Sequence, residues 1–414
     1  MTNFVVSTVN KIYKIKFMAQ VSERLASLSP SETLAMSQKS NELKAQGIDV
    51  INLSVGEPDF FTPDHIKDAA KKAIDDNFSF YSPVPGYMDL RKAIVDKLKR
   101  ENGLDYTADQ IIVSGGAKQS VCNVLLSIID PGDEVIVPAP YWVSYVEMVK
   151  LAEGTNVIVT AGIEQDFKIT PAQLEAAITP KTKALILCSP SNPTGSVYSK
   201  DELKGLADVL AKYPNIIILA DEIYEHINYI GEHQSIAQFP DIKDRVVVIN
   251  GVSKAYAMTG WRIGFIAAPV WIAKACNKLQ GQYTSGASSI AQKASVAAFN
   301  GPQECVTEMR EAFRRRRDLV VKLCREIPGI KISVPQGAFY VFPETDYYFG
   351  KSAGEWKIND AADLAMYLLE VGHVATVGGA AFGAPKCIRL SYATSDENLV
   401  EAIARIKKAL AALN

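Results

Sequence analysis

The sequence predicts an α/β protein. It has a large domain with a mostly parallel seven-stranded sheet covered by helices on both faces, plus a smaller α+β domain made from both chain ends. Three observations carry this prediction. From about residue 110, short β-branched apolar runs alternate with amphipathic helical stretches, as strand–helix units of a parallel sheet do. At 414 residues the chain is too long for one simple core. After Pro328-Gly329 the strands become shorter and the regular alternation stops.

Composition narrows the function. Hydrophobic residues make up 48% and charged residues 22%, ordinary for a soluble globular enzyme. A net charge of −2 gives no sign of a nucleic-acid or membrane-surface partner. No apolar run reaches the roughly 18 residues of a spanning helix. The six cysteines are scattered without a CxxC pair, so free thiols in a reducing cytoplasm are expected. The four histidines lack ligand spacing, and no metal is expected. Residues 1–17 lack the apolar core and cleavage site of a secretory leader. They are expected to be a poorly ordered extension upstream of an ordinary start at Met18.

Taken in order, Glu23 to Gln46 reads as helix and Val50 to Leu53 as a short strand leading to Gly56-Glu57-Pro58. Gly56 there means either a tight turn or close backbone approach. A helix over 64–76, the Pro/Gly loop around Tyr81 and a helix carrying Leu90 to Leu98 follow. Aromatic residues in such a loop pack locally or meet another subunit. Strand Ile111 to Val113 runs through Ser114-Gly115-Gly116-Ala117-Lys118 into a helix. A glycine turn at a helix start presents free N–H groups to an anion. Strand Val135 to Val137 ends just before Trp142, where open α/β sheets bind ligands; a core tryptophan is the alternative.

Thr155 to Thr160 is a strand and Pro171 to Ile178 a helix. Ala184 to Cys188 exits into Ser-Pro-Ser-Asn-Pro-Thr-Gly, which aims the Asn192 amide rigidly. After a helix over 201–211, Ile216 to Ala220 ends at Asp221, with Tyr224 beyond. A carboxylate directly after five apolar residues is costly unless a cation pairs with it. Val246 to Ile249 leads to Ser253 and Lys254, an amine placed by a rigid strand. Burial and neighbouring positive charge lower such an amine's pKa and make it a nucleophile toward carbonyls. Arg262 follows between Gly260 and Gly264, then strand Phe265 to Ala268 in the same sheet.

A helix carries Ile290 to Val296, and a long basic helix covers Val306 to Ile327. Its Arg314 to Arg317 wrap around the surface and read as solvated or subunit-facing. Strands Ile330 to Val334 and Ala338 to Phe342, a helix over Asp360 to Glu370, strand Ile388 to Tyr392 and a last helix over 396–412 complete the smaller domain. Arg389 lies inside that apolar strand and needs an anion. If no protein carboxylate serves it, a substrate carboxylate is the next candidate. The boundaries expected are 1–17 for the extension, 18–64 for an N-terminal segment of the small domain, 65–305 for the large domain and 306–414 for the small C-terminal domain.

The special residues cluster at strand ends: a nucleophilic amine, a buried carboxylate, two groups able to bind a phenolate, an anion cradle and a carboxylate clamp. Pyridoxal phosphate chemistry requires this set. On Ser189 to Gly195, Ala220 to Tyr224, and Ser253-Lys254 through Gly260-Trp261-Arg262-Ile263-Gly264-Phe265, the chain resembles the class I aminotransferases of fold type I. It resembles most the bacterial aspartate aminotransferase subgroup typified by thermophilic bacteria. The likeness runs from about residue 20 to the C-terminus.

The resemblance implies pyridoxal 5′-phosphate as cofactor in the large domain, with Lys254 forming a Schiff base and moving the α-proton. It implies Asp221 on the pyridine nitrogen, Asn192 and Tyr224 on the phenolate oxygen, and Trp142 stacked on the ring. Gly116, Ala117, Ser253 and Arg262 would hold the phosphate. Lys118 at the start of the phosphate helix belongs to the same cofactor-binding set. Tyr81 would reach that phosphate from the neighbouring subunit of a homodimer with shared active sites. Arg389 would clamp the α-carboxylate, helped by Asn192 and Gly56, beside Trp142. Ser31, Thr33 and Lys118 are expected to meet a side-chain carboxylate. The activity implied is amino transfer from L-aspartate to 2-oxoglutarate by a ping-pong route, with small amino and 2-oxo acids as partners. The alternatives are an aromatic- or prephenate-accepting relative, a pyridoxal phosphate lyase on the same fold, and a non-catalytic regulator.

Overall fold

The computed structural model describes residues 21–414. The extension expected over residues 1–17 lies outside them. Seven strands form the central sheet: β1 Ile111–Ser114, β2 Glu134–Ala139, β3 Thr155–Thr160, β4 Thr182–Cys188, β5 Ile217–Asp221, β6 Val246–Gly251 and β7 Gly264–Ala267, in the spatial order β1-β7-β6-β5-β4-β2-β3. Only β7 runs antiparallel to its neighbours. Both faces are covered, and the two-residue period of a strand shows in the core. Leu185, Leu187, Ile218, Ala220, Val246 and Val248 pack into one apolar layer. Ala184, Ile186, Ile217, Leu219, Val247 and Ile249 pack into the other. This burial on both sides is why the strands read as continuous apolar runs.

The smaller unit packs Glu304–Cys324, Ala361–Glu370 and Asp396–Ala411 around the antiparallel strands Tyr340–Val341, Ile388–Ser391 and Val377–Gly378. The N-terminal segment joins it: Ile51–Asn52 pairs in parallel with Val374–Ala375, and Met36 and Val50 pack on Ala365 and Leu369. The chain past Leu53 is thereby pinned over the carboxyl edge of the large sheet, since the Ser391 amide donates to the Leu53 carbonyl.

Several elements differ from expectation. The first helix is two, Glu23–Ala26 and Glu32–Ala45, because Pro30 cannot continue a helical hydrogen-bond ladder. Residues 330–334 form no strand; their β-pairing is a single Lys331–Glu344 bridge, while Ile330 and Ile332 pack on the core of the smaller unit. Three helices unmarked in the sequence appear, Ser144–Leu151, the short Pro240–Lys243 and Val270–Tyr283. The four consecutive arginines are not all solvated. Arg316 is buried, pairs with Asp59 at 2.7 Å and lies over Phe60. Arg317 stacks on Tyr229 with its charge 4.8 Å from the ring centre. Helical spacing sends adjacent residues to different faces, so only Arg314 and Arg315 of the run fit the solvated reading.

Candidate active site

Parallel strands deliver their carboxyl ends to one edge, and the antiparallel β7 delivers its amino end there too. Asp221 closes β5, Asn192 follows β4, Lys254 follows β6, Trp142 follows β2, and Arg262 precedes β7. These residues, with Ala117, Lys118, Tyr224, Ser253 and Arg389, line one cavity of about 430 Å³. Gly56 closes it from the N-terminal segment.

Lys254 donates from Nζ to the Gly56 carbonyl at 2.7 Å. Burial lowers its pKa to about 8, and the charges of Arg262 and Arg389 add to this against Glu57 and Asp221. Roughly a tenth of the amine is therefore neutral, and nucleophilic, at pH 7, and about half at pH 8. Gly56 settles its two alternatives in favour of close approach: a Cβ there would stand 2.5 Å from the Tyr340 hydroxyl.

Asp221 is buried and accepts hydrogen bonds from Tyr145 Oη (2.5 Å) and the Ile223 amide (3.3 Å), both neutral donors. Burial outweighs them and pushes its pKa up to about 6. That rise corresponds to roughly 3 kcal/mol against the charged form. A cationic nitrogen set against the carboxylate would remove the cost.

At the start of the Ala117–Ile128 helix no side chain caps the first turn; the Gln119 amide donates to the Gly116 carbonyl, and the Ala117 and Lys118 amides stay open among the described residues. Gly116 has φ +93, and a Cβ on it would collide with the Arg262 guanidinium. That guanidinium donates to Gly115 O (3.0 Å) and Thr259 O (2.8 Å), which hold it beside the open amides. Lys118 lies with Nζ 5.0 Å from the Trp142 ring centre. Trp142 is thus a cavity wall as well as a packing residue.

Arg389 is 2% exposed and meets no protein carboxylate among the described residues. It donates to Asn192 Oδ1 (2.9 Å) and Ser54 O (2.5 Å), while its Nε is buried without a partner. Tyr340 and Phe382 flank the guanidinium at 4.7 and 4.9 Å. Thr33 lines the cavity with Lys118; Ser31 does not, and hydrogen-bonds Thr33 instead at 3.0 Å. Tyr81 stands outside its own chain's cavity and is 97% exposed.

Sequence reasoning missed Tyr145 and Tyr340. Tyr145 holds Asp221, and Tyr340 hydrogen-bonds the Tyr224 hydroxyl at 2.8 Å. Tyr145 lies in an unmarked helix, and Tyr340 in an ordinary apolar run, so neither carried a local signal.

The donor set fits pyridoxal phosphate: open amides and Arg262 for a phosphate, an uncompensated buried carboxylate for the ring nitrogen, and a partly neutral amine for the aldehyde. The fold and site are those of a pyridoxal-phosphate-dependent transferase of fold type I. Residues 48–406 match the family model "Aminotransferase class I and II", and the chain belongs to that family and is an aminotransferase. It is 52% identical to the aspartate/prephenate aminotransferase of Cereibacter sphaeroides, over 96% of this chain and all of that protein. Among solved structures, the aspartate aminotransferase of Rhizobium meliloti superposes with a TM-score of 0.92 at 45% identity, covering 95% of this chain and 100% of that one. That of Thermus thermophilus with maleate gives 0.89 at 42%, with the same coverage.

Proposed function

We propose that the protein transfers the amino group of L-aspartate to 2-oxoglutarate, giving oxaloacetate and L-glutamate. The observation that carries this is the cavity's cations: Arg389 with no protein carboxylate among the described residues at one place, Lys118 with Thr33 at another. Two separated anion-binding points suit a substrate with two carboxylates. The maleate that accompanies the Thermus thermophilus aspartate aminotransferase is such an anion.

Bound here, pyridoxal phosphate would supply the electron sink that lets the donor's α-carbon lose its proton. Arg262, Ser253 and the first-turn amides at Ala117 would hold its phosphate, Asp221 its ring nitrogen, Asn192 and Tyr224 its phenolate oxygen, and Trp142 one ring face. Arg389 fixes the α-carboxylate in a two-pronged contact, with Asn192 holding the guanidinium in plane. Lys254 would hold the cofactor at its aldehyde carbon, and its amine would carry the α-proton. Its lowered pKa suits both tasks. The exposed Tyr81 is assigned to the partner's site in a homodimer. A second reading, amino transfer to prephenate, is favoured by the likeness to the aspartate/prephenate aminotransferase of Cereibacter sphaeroides, and prephenate also carries two carboxylates.

The test is an absorbance spectrum of the purified protein before and after L-aspartate. The expected outcome is a cofactor band that shifts to the amine form while oxaloacetate appears, followed by recovery with 2-oxoglutarate and parallel-line kinetics. A band that other amino donors shift and aspartate does not would overturn the donor assignment. Prephenate offered in place of 2-oxoglutarate separates the two acceptors.

A further inference from the structure

The turn that presents Asp221 and Tyr224 to the cavity sends Glu222 and Glu225 into a second polar cluster. There Glu225 and Lys97 form a buried ion pair. Asn102 ties them together, accepting from Lys97 Nζ and donating to Glu225 Oε2, both at 2.8 Å. This arrangement satisfies one of the two carboxylates. Among the described residues, Glu222 Oε2 is buried with no hydrogen-bond partner, and so are both ring nitrogens of His233. His233 Nε2 stands 3.1 Å from Glu222 Oε2, and both side chains are more than nine-tenths buried. Lys97 is shared by Glu225 and, at 3.5 Å, Glu101, so the cation nearest Glu222 is either a proton on the His233 ring or a metal ion on its nitrogen.

We propose that Glu222, Glu225 and His233 form a binding site for a divalent transition metal of the zinc class. One ligand atom from each residue can be chosen so that all three lie within 4.8 Å of one another. Metal bonds of about 2.0–2.2 Å place ligands on one ion roughly 3–4 Å apart, so small side-chain shifts complete the set. One imidazole and two carboxylate oxygens are donors zinc and its neighbours accept. A cavity of about 700 Å³, lined by Glu225 and His233 among others, gives entry and room for water as a further ligand. A second trio, Glu101, Glu225 and His226, also lies within reach of a common ion. There His226 Nε2 already hydrogen-bonds Glu101 at 3.0 Å, so this trio lacks the unpartnered nitrogen.

The site adjoins the catalytic one through the Asp221–Glu222 peptide bond. An ion there would fix the turn that carries Asp221 and Tyr224.

The experiment is titration of chelator-treated holoenzyme with Co²⁺ or Zn²⁺ alone. One equivalent of Co²⁺ per chain is expected, with a visible d–d band and no thiolate charge-transfer absorption. Zn²⁺ should raise the thermal midpoint. His233→Ala and Glu222→Gln, each checked for folding by its cofactor absorbance, should weaken binding by about 100-fold or more, since even an outer-sphere partner is worth about 10–100-fold. His226→Ala should leave it in place. No stoichiometric binding, a thiolate spectrum, or binding that survives both His233→Ala and Glu222→Gln would overturn the site.

Discussion

Two buried carboxylates leave the same strand end four residues apart and meet opposite fates. Asp221 faces the cavity and its pKa rises to about 6; Glu225 faces the Lys97 cluster and its pKa falls well below the usual carboxylate range. Burial acts against the charged form in both. The difference is the partner: Lys97 gives Glu225 a full positive charge, whereas Tyr145 gives Asp221 only a hydroxyl dipole. A neutral donor does not repay the desolvation of a buried anion; a cation does. The Glu225–Lys97 pair is complete in the folded chain. The Asp221 region lacks a cation, and the cofactor's ring nitrogen is the group suited to provide it.

The largest effect expected falls on the incomplete region. Lys254→Ala should lower single-turnover transamination by about 10⁴-fold or more, because the proposed mechanism gives one amine the roles of nucleophile and proton carrier. The cofactor should then bind without covalent attachment, visible in its spectrum. Arg389→Ala should cost roughly 10²–10³-fold in kcat/KM with every amino donor, as a buried charge-assisted clamp is worth about 2–5 kcal/mol. Equal activity toward donors with and without the α-carboxylate in wild type would break that assignment.

The contrast itself is tested by stability. Glu225→Gln should destabilise the protein by about 3 kcal/mol in chemical unfolding, because the buried Lys97 keeps only the more distant, partly exposed Glu101 carboxylate at 3.5 Å. Asp221→Asn should do the reverse in cofactor-free protein, gaining up to roughly 3 kcal/mol at neutral pH. The sign follows from linkage. A raised carboxyl pKa favours the fold below its unfolded value near 3.8, and that advantage is lost as pH rises through about 6. The gain in Asp221→Asn should therefore develop between about pH 4 and 6 and then level off. If both substitutions destabilise the cofactor-free protein alike, the comparison fails.

Lys254 gives the complementary window. Its lowered pKa contributes stability that is present above the unfolded value near 10.5 and lost as pH falls through about 8. Lys254→Met should flatten the stability profile of cofactor-free protein over that range. In the wild type, covalent uptake of pyridoxal phosphate, followed by absorbance, should speed up as pH rises toward 8 and then approach a plateau. The smallest effect belongs to Lys118→Ala. It should raise KM for aspartate roughly tenfold, about 1.4 kcal/mol, and leave monocarboxylic donors almost unchanged.

The sequence by itself determined the strand–helix alternation, the family, and the charged residues set in or just beyond apolar strands. Asp221 after an apolar run, Arg389 within one and Lys254 beyond a third were all legible because a charge next to a buried strand breaks a local pattern. Those local patterns could not supply the partners. Tyr145 and Tyr340 are apolar-looking residues in ordinary elements, and their hydroxyls acquire a role only where the fold sets them against Asp221 and Tyr224. Nor could spacing tell that Arg316 turns inward while Arg314 stays out, or that Gly56 is small because Tyr340 stands beside it. Each of these facts depends on chain segments far apart in sequence. Whether a buried charge is compensated, and so whether it is scaffold or site, was therefore decided by the tertiary structure alone.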